Sequence, residues 1–152
     1  MKVGEIMKRD VKTLSPDMSV SEALDLILKM QISGLPVIDG ENKLVGMFTE
    51  KEVLFYILPS YIEKVGGFQY EKNPKSTHKK FSELIKLRVG QLMRKDVLTV
   101  REDATLCEVA RLMLVQKARR IPIVDEQGRL IGIVSRSDVL MSFIQEAQPG
   151  GG

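Results

Sequence analysis

"VGEIMKRDVKTLSPDMSVSEALDLI", residues 3–27, and "VGQLMRKDVLTVREDATLCEVARLM", residues 89–113, read as two versions of one segment. Set side by side from Val3 and Val89, 86 residues apart, they run to their ends without a gap. Val3, Gly4, Met7, Asp10, Val11, Thr13, Asp17 and Glu22 meet Val89, Gly90, Met93, Asp96, Val97, Thr99, Asp103 and Glu108. The register continues, and Pro36, Asp39, Leu44, Gly46, Val53 and Leu54 meet Pro122, Asp125, Leu130, Gly132, Val139 and Leu140. A register held this long marks a repeat, and a repeat decides the fold before any single motif does. The chain divides into a first repeat at 1–57, a basic insert at 58–88, a second repeat at 89–146 and a flexible tail at 147–152.

Each repeat carries the same order of elements. "VKTL" and "VLTV" read as short strands. Ser19-x-x-Glu22 and Thr105-x-x-Glu108 are capping boxes, in which a hydroxyl and a carboxylate satisfy free N–H groups at a helix start. Val20, Ala23, Leu24, Ile27 and Leu28 then follow helical spacing, as do Leu106, Val109, Ala110, Met113 and Leu114. "LPVID" with "LVGMF", and "IPIVD" with "LIGIV", read as hairpins closed by "GENK" and "EQGR". Further helices begin near Glu50 and Arg136. The order is strand, helix, strand, strand, helix. A unit of this size exposes too much apolar surface to be stable alone, so the two are expected to share a core.

Composition narrows the function classes. The chain has 152 residues, 43% of them hydrophobic, with no Trp, so its core is aliphatic. No apolar run reaches the ~18 residues of a membrane helix, and no membrane insertion is expected. "MKVGEIMKRD" lacks the apolar region of a secretory signal, and a cytoplasmic location is expected. A net charge of +3 does not by itself argue for nucleic acid. Cys107 is the single cysteine; its helical surroundings read it as a small core residue. His78, among lysines, reads as an exposed loop residue with no partner for a metal site. No nucleophile–base constellation is visible, and no catalysis is expected.

The ordered pattern "TLSPDMSVSEALDLILKMQISGLPVID...KLVGMFTEKEV", met again in "TVREDATLCEVARLMLVQKARRIPIVDEQGRLIGIVSRSDV", resembles a tandem pair of CBS domains, a Bateman module. The resemblance covers nearly all but the insert and tail. It implies an α+β fold of two βαββα CBS repeats packed about a pseudo-twofold axis. It also implies a regulatory module with no chemistry of its own and no required cofactor, whose ligand is an adenine nucleotide such as AMP, ADP or ATP, or S-adenosylmethionine. A disk-like homodimer is expected, through the apolar faces Val53, Leu54, Ile57 and Val139, Leu140, Phe143. A regulated enzyme or transporter in trans is the expected partner.

Against this frame, "GIVSRSD" at 132–138 has two compatible readings. Ser135-x-x-Asp138 is a capping box, and so is Thr49-x-x-Glu52. A helix start also suits phosphate, and a carboxylate there can accept both hydrogen bonds of a ribose diol. Gly132 admits close approach of backbone, and Ile133 or Val134 can wall a purine. The resemblance, carried over by position, gives a first site of Thr13, Met18, Ile133, Ser135 and Asp138. The arginines before the middle strand, Arg119 and Arg120, are its expected phosphate contacts. A second site would use Met47, Thr49, Glu52, Thr99 and Ala104. It is expected to be weaker, because Glu52 adds a methylene and Ser33 and Gly34 stand where the other repeat has arginines. Met18 is large for its position and is expected to crowd a base.

The insert, "LPSYIEKVGGFQYEKNPKSTHKKFSELIKLR", reads as a helix stop at Pro59, a short helix from Ser60 ended by Gly66-Gly67, a loop at "NPKST" and a second helix at "KKFSELIKLR". Its lysines support a second function class, a constitutive dimeric scaffold whose basic insert docks a protein or nucleic acid.

Overall fold

The computed structural model describes residues 1–58 and 74–148. In chain order it holds a 3-10 turn at Val3–Glu5, α1 (Val20–Met30), β1 (Gly34–Ile38), β2 (Leu44–Thr49), α2 (Glu50–Ile57), α3 (Pro74–Leu84), α4 (Val89–Leu92), α5 (Leu106–Val115), β3 (Arg120–Val124), β4 (Leu130–Ser135) and α6 (Arg136–Ala147). Contacts divide the chain into two compact units, and the division does not follow the repeats. Unit one holds residues 1–12, 40–44 and 97–152, while unit two holds 13–39 and 45–96. Each unit therefore joins the body of one repeat to the opening segment, here called the leader, of the other.

The leaders dock by the same bonds in both units. In unit one, Val3 N–H donates to the Ala104 carbonyl (2.8 Å) and Gly4 N–H to that of Glu102 (2.9 Å). In unit two, Val89 N–H donates to the Met18 carbonyl (2.8 Å) and Gly90 N–H to that of Pro16 (2.9 Å). Val3 and Val89 are fully buried, so the leader is part of each core. Apolar burial of one such side chain contributes roughly 1.5–3 kcal/mol.

The core expected to be common to the repeats is divided between the units, and each part combines residues of both repeats. Unit two buries Leu14, Val20, Ala23, Ile27, Val37 and Phe48 among others. Unit one buries Val100, Leu106, Val109, Met113, Ile121 and Val134 among others. The helical stripes are narrower than the sequence pattern, because Leu28 and Leu114 are exposed (60% and 74%). Cys107 is also exposed, which corrects its reading as a core residue. It lies one position past Leu106, off the stripe of Leu106, Val109 and Met113 that α5 turns inward.

The expected strands "VKTL" and "VLTV" shrink to one bridging residue each, Leu14 beside Val37 and Val100 beside Ile123, both parallel. Proline explains the truncation. Leu14 N–H donates to the Pro36 carbonyl and Ile38 N–H to that of Leu14. The next rung back would need an N–H from Pro36, which has none. Pro122 ends the ladder beside Val100 in the same way. The regular sheets are the two hairpins, β1–β2 and β3–β4.

The boxes expected at α1 and α5 form only their hydroxyl arms. Ser19 Oγ accepts from Glu22 N–H (3.1 Å) and Thr105 Oγ1 from Glu108 N–H (3.2 Å). The leaders lie across these caps, with Arg88 bridging Ser19 and Lys2 bridging Thr105. The insert also differs from its reading. Pro74 to Thr77, expected in a loop, open α3; proline suits a first helical turn, where its missing N–H is no loss. His78 is exposed but helical. Phe81 is 37% exposed, while Leu84 is fully buried in the unit-two core. The features read at Pro59, Ser60, Glu63, Gly66 and Gly67 lie outside the described residues. Among the described residues, no helix is long and apolar enough to cross a membrane.

Candidate functional site

Alternation along β4 sorts the candidate residues. Val134 is fully buried in the unit-one core, so Ile133 and Ser135, its neighbours on the strand, lie on the other face and are partly exposed. That leaves Ile133, rather than Val134, as the apolar wall. The strand ends at Ser135, whose extended backbone caps α6.

The capping box at this end is complete. Asp138 N–H donates to Ser135 Oγ (3.2 Å), and Ser135 N–H donates to Asp138 Oδ2 (2.9 Å). The cap thus uses one carboxylate oxygen. The other, Oδ1, lies 3.7 Å from Lys8 Nζ, and the Asp138 side chain is 18% exposed. The hydrogen bonds described for Ser135 Oγ use it as an acceptor. Asp138 and Ser135 therefore hold the helix and still present an oxygen each.

The backbone brings the arginines to the same corner. Arg120 pairs with Ser135 in the β3–β4 ladder, and the Arg119 carbonyl accepts from Arg136 N–H (3.1 Å). Both arginines are exposed. Ile133, Ser135, Asp138, Arg119 and Arg120 are thus assembled within unit one. Thr13 and Met18 belong to unit two, where both are partly buried and Met18 packs against that unit's own core.

The corresponding end of unit two is wired differently. Thr49 N–H and Thr49 Oγ1–H both donate to Glu52 Oε1 (3.1 and 2.9 Å), and Thr49 Oγ1 accepts from Lys51 N–H (3.2 Å). The extra methylene lets the Glu52 carboxylate fold over the hydroxyl and consume its proton. Met47 is 7% exposed and lies outside the unit-two core cluster. Thr99 and Ala104 are partly buried in unit one, where Ala104 takes the leader's bond from Val3. At Gly34, the counterpart of Arg120, a side chain would not fit: a Cβ would come 2.5 Å from Thr49 Cγ2 and 2.6 Å from the Phe48 carbonyl oxygen.

Two residues at these ends escaped the sequence reading. Lys8 exchanges both backbone bonds with Ile133 (2.9 Å each), and Arg94 does so with Met47 (2.9 and 2.8 Å). Ahead of each, a methionine packs on the strand glycine. A Cβ at Gly132 would meet Met7 Sδ at 2.5 Å, and one at Gly46 would meet Met93 Sδ at 2.7 Å. The close approach that Gly132 permits is therefore made by the chain's own leader. Arg94 also lines an open cleft of about 560 Å³ with Lys51, Glu52, Phe55, Tyr56 and Leu92. The signal was present in the repeat register, which aligns Lys8 with Arg94.

The CBS domain family model matches residues 3–59 and 89–144. The chain is 34% identical to the Arabidopsis thaliana CBS domain-containing protein CBSX1, chloroplastic, over 97% of this chain and 66% of that protein. It is 37% identical to an inosine-5'-monophosphate dehydrogenase of Methanocaldococcus jannaschii, over 91% of this chain and 23% of the enzyme. The chain thus spans about two thirds of the first relative and under a quarter of the second. Among solved structures, CBSX2 in complex with AMP aligns at a TM-score of 0.75 and 32% identity, covering 97% of this chain and 98% of that one. Two matched segments in one register, with a relative and a solved structure alike over nearly the whole chain, place this protein in the CBS-domain family as a tandem pair of CBS repeats.

Proposed function

We propose that the protein is a regulatory ligand-sensing module that binds an adenine nucleotide (AMP, ADP, ATP or S-adenosylmethionine) and responds by a change of conformation or assembly. The observation that carries this reading is the Asp138 end. One carboxylate oxygen and the proton of the Ser135 hydroxyl remain beyond the needs of the cap, with Arg119 and Arg120 at the same corner. A carboxylate oxygen can accept from a ribose hydroxyl, a serine hydroxyl can donate to a ligand oxygen, and guanidinium groups suit phosphate. The likeness to CBSX2, whose crystal structure holds AMP, supports the ligand class. The family pattern adds Thr13 and Met18 to this ligand, and Thr99 and Ala104 to the second. The Glu52 end is the weaker site, because its carboxylate takes the Thr49 hydroxyl proton as well as the N–H.

The module performs no chemistry and acts through a partner, an enzyme or transporter in trans. Its homodimer forms through the second helix of each repeat. Val53, Ile57 and Val139, expected on that face, are instead buried in the protein's own cores, while Leu54 and Phe55 on α2, and Leu140, Met141 and Ile144 on α6, leave apolar side chains more than half exposed, which supports that assembly. Binding shifts the assembly only by the ligand's differential affinity for its states.

A thermal-shift panel of AMP, ADP, ATP, S-adenosylmethionine and NAD tests the reading. A ligand at a hundred times its Kd stabilises by about 2.7 kcal/mol. The expected result is a clear rise with at least one adenine ligand. No rise with any of them contradicts the reading and returns attention to a scaffold role.

A further inference from the structure

Resting on that reading, we infer that Lys8, in addition to Arg119 and Arg120, and Arg94 at the other end are anion-recognition residues, each meeting the phosphate of the nucleotide bound there. Four observations coincide. The two residues share one register position in the repeat, and both are basic. Each is pinned by a pair of backbone bonds to the strand residue that leads into the cap, Ile133 or Met47. Each follows a methionine packed against the strand glycine, Met7 on Gly132 and Met93 on Gly46. Each also brings its cation to the cap carboxylate's end, Lys8 at 3.7 Å from Asp138 Oδ1 and Arg94 beside Glu52 in the cleft.

The geometry favours a ligand role over a structural one. At 3.7 Å, Lys8 is a counter-ion of Asp138 and not its hydrogen-bond donor, since charge-assisted bonds run to about 2.7–2.9 Å. Its side chain is 70% exposed, and pairs of that kind contribute little to stability. The ammonium can therefore leave Asp138 for a phosphate at small cost while the ribose takes the carboxylate. Arg94 is exposed and makes no ion pair among the described residues. In its cleft, Lys51 adds a second cation. The second end thus has the positive charge that Ser33 and Gly34 lack, supplied from the leader.

Calorimetric titration of AMP, with adenosine as the uncharged probe, tests this on wild type, Lys8→Ala, Lys8→Arg and Arg94→Ala. The inference expects Lys8→Ala to weaken AMP at the tighter site by about ten- to a hundredfold, the range of a charged hydrogen bond. Adenosine affinity should stay unchanged, and Lys8→Arg should restore AMP. Arg94→Ala should do the same to the weaker site alone. Equal loss of AMP and adenosine, or no loss of either, overturns the inference while leaving nucleotide binding standing. A wild type that binds neither compound overturns both. Unchanged melting of ligand-free Lys8→Ala is expected from its exposure, and keeps the affinities comparable.

Discussion

The Ser135–Asp138 end of unit one and the Thr49–Glu52 end of unit two begin as the same motif and finish as different devices. With aspartate, the carboxylate can reach the backbone N–H with one oxygen only, and the other stays beside Lys8. With glutamate, one oxygen collects both the N–H and the hydroxyl proton of Thr49. A single methylene therefore turns a cap whose hydroxyl proton is not spent on its carboxylate into one whose hydroxyl donates to it, while each cap engages only one carboxylate oxygen. The neighbouring strand follows suit. Ser135 stands opposite Arg120, whereas the Thr49 methyl helps fill the space that a side chain at Gly34 would need.

The sharpest break in this comparison is Gly34→Ala. The new Cβ would meet the Phe48 carbonyl and the Thr49 backbone, which cannot step aside as a flexible side chain could. Overpacking of this kind costs about 1–3 kcal/mol. Urea unfolding should show a loss near the upper end, whereas Arg120→Ala, at an exposed position, should stay within about 0.5 kcal/mol. Equal losses would mean that the two strands are not differently built.

Next come the caps. Asp138→Ala and Glu52→Ala each lose a carboxylate that accepts the cap residue's own N–H, and each should cost about 1 kcal/mol in the ligand-free protein. Melting curves should therefore move the two variants by similar amounts, even though their ligand responses differ. A much larger loss from one would reveal a structural burden that its hydrogen bonds do not account for. Glu52→Asp sharpens the comparison from the other side. It should release the Thr49 hydroxyl, keep the melting temperature near wild type, and raise AMP affinity at the weaker site several-fold. No gain in affinity would show that the methylene is not what separates the two ends.

The smallest effect concerns the turn before β4. The Arg129 backbone N–H, with its side chain and the Gln127 N–H adding to it, holds the Asp125 carboxyl below its ordinary value of 3.8. A lowered carboxylate pKa stabilises the fold above the unfolded value and loses that contribution as pH falls through the folded one. Asp125→Asn should thus be slightly less stable than the parent at neutral pH. The difference should fade as pH drops below about 3.8 and on through the lowered folded value. A difference that persists in acid would assign the effect to turn geometry instead of charge.

The repeat, the hairpins and the caps of α2 and α6 were legible because each is local or periodic in sequence. The exchange of leaders was not, since Val3 pairs with Ala104 and Val89 with Met18, partners that no spacing rule connects. Lys8 and Arg94 went unread for the same reason, although their shared register was in plain view. The one-residue first strands were legible in principle, because Pro36 and Pro122 lack the N–H that a longer ladder needs. Cys107 was misread because its helix is apolar on more than its buried stripe, with Leu114 and Val115 exposed as well.

The most direct test of the account is calorimetric titration of AMP into wild type, Asp138→Ala and Glu52→Ala. The account predicts a tighter site that disappears in Asp138→Ala and survives in Glu52→Ala. If Asp138→Ala loses only a cap's worth of stability, about 1 kcal/mol, and binds AMP as wild type does, then Ser135-x-x-Asp138 is a helix cap alone and the account is contradicted.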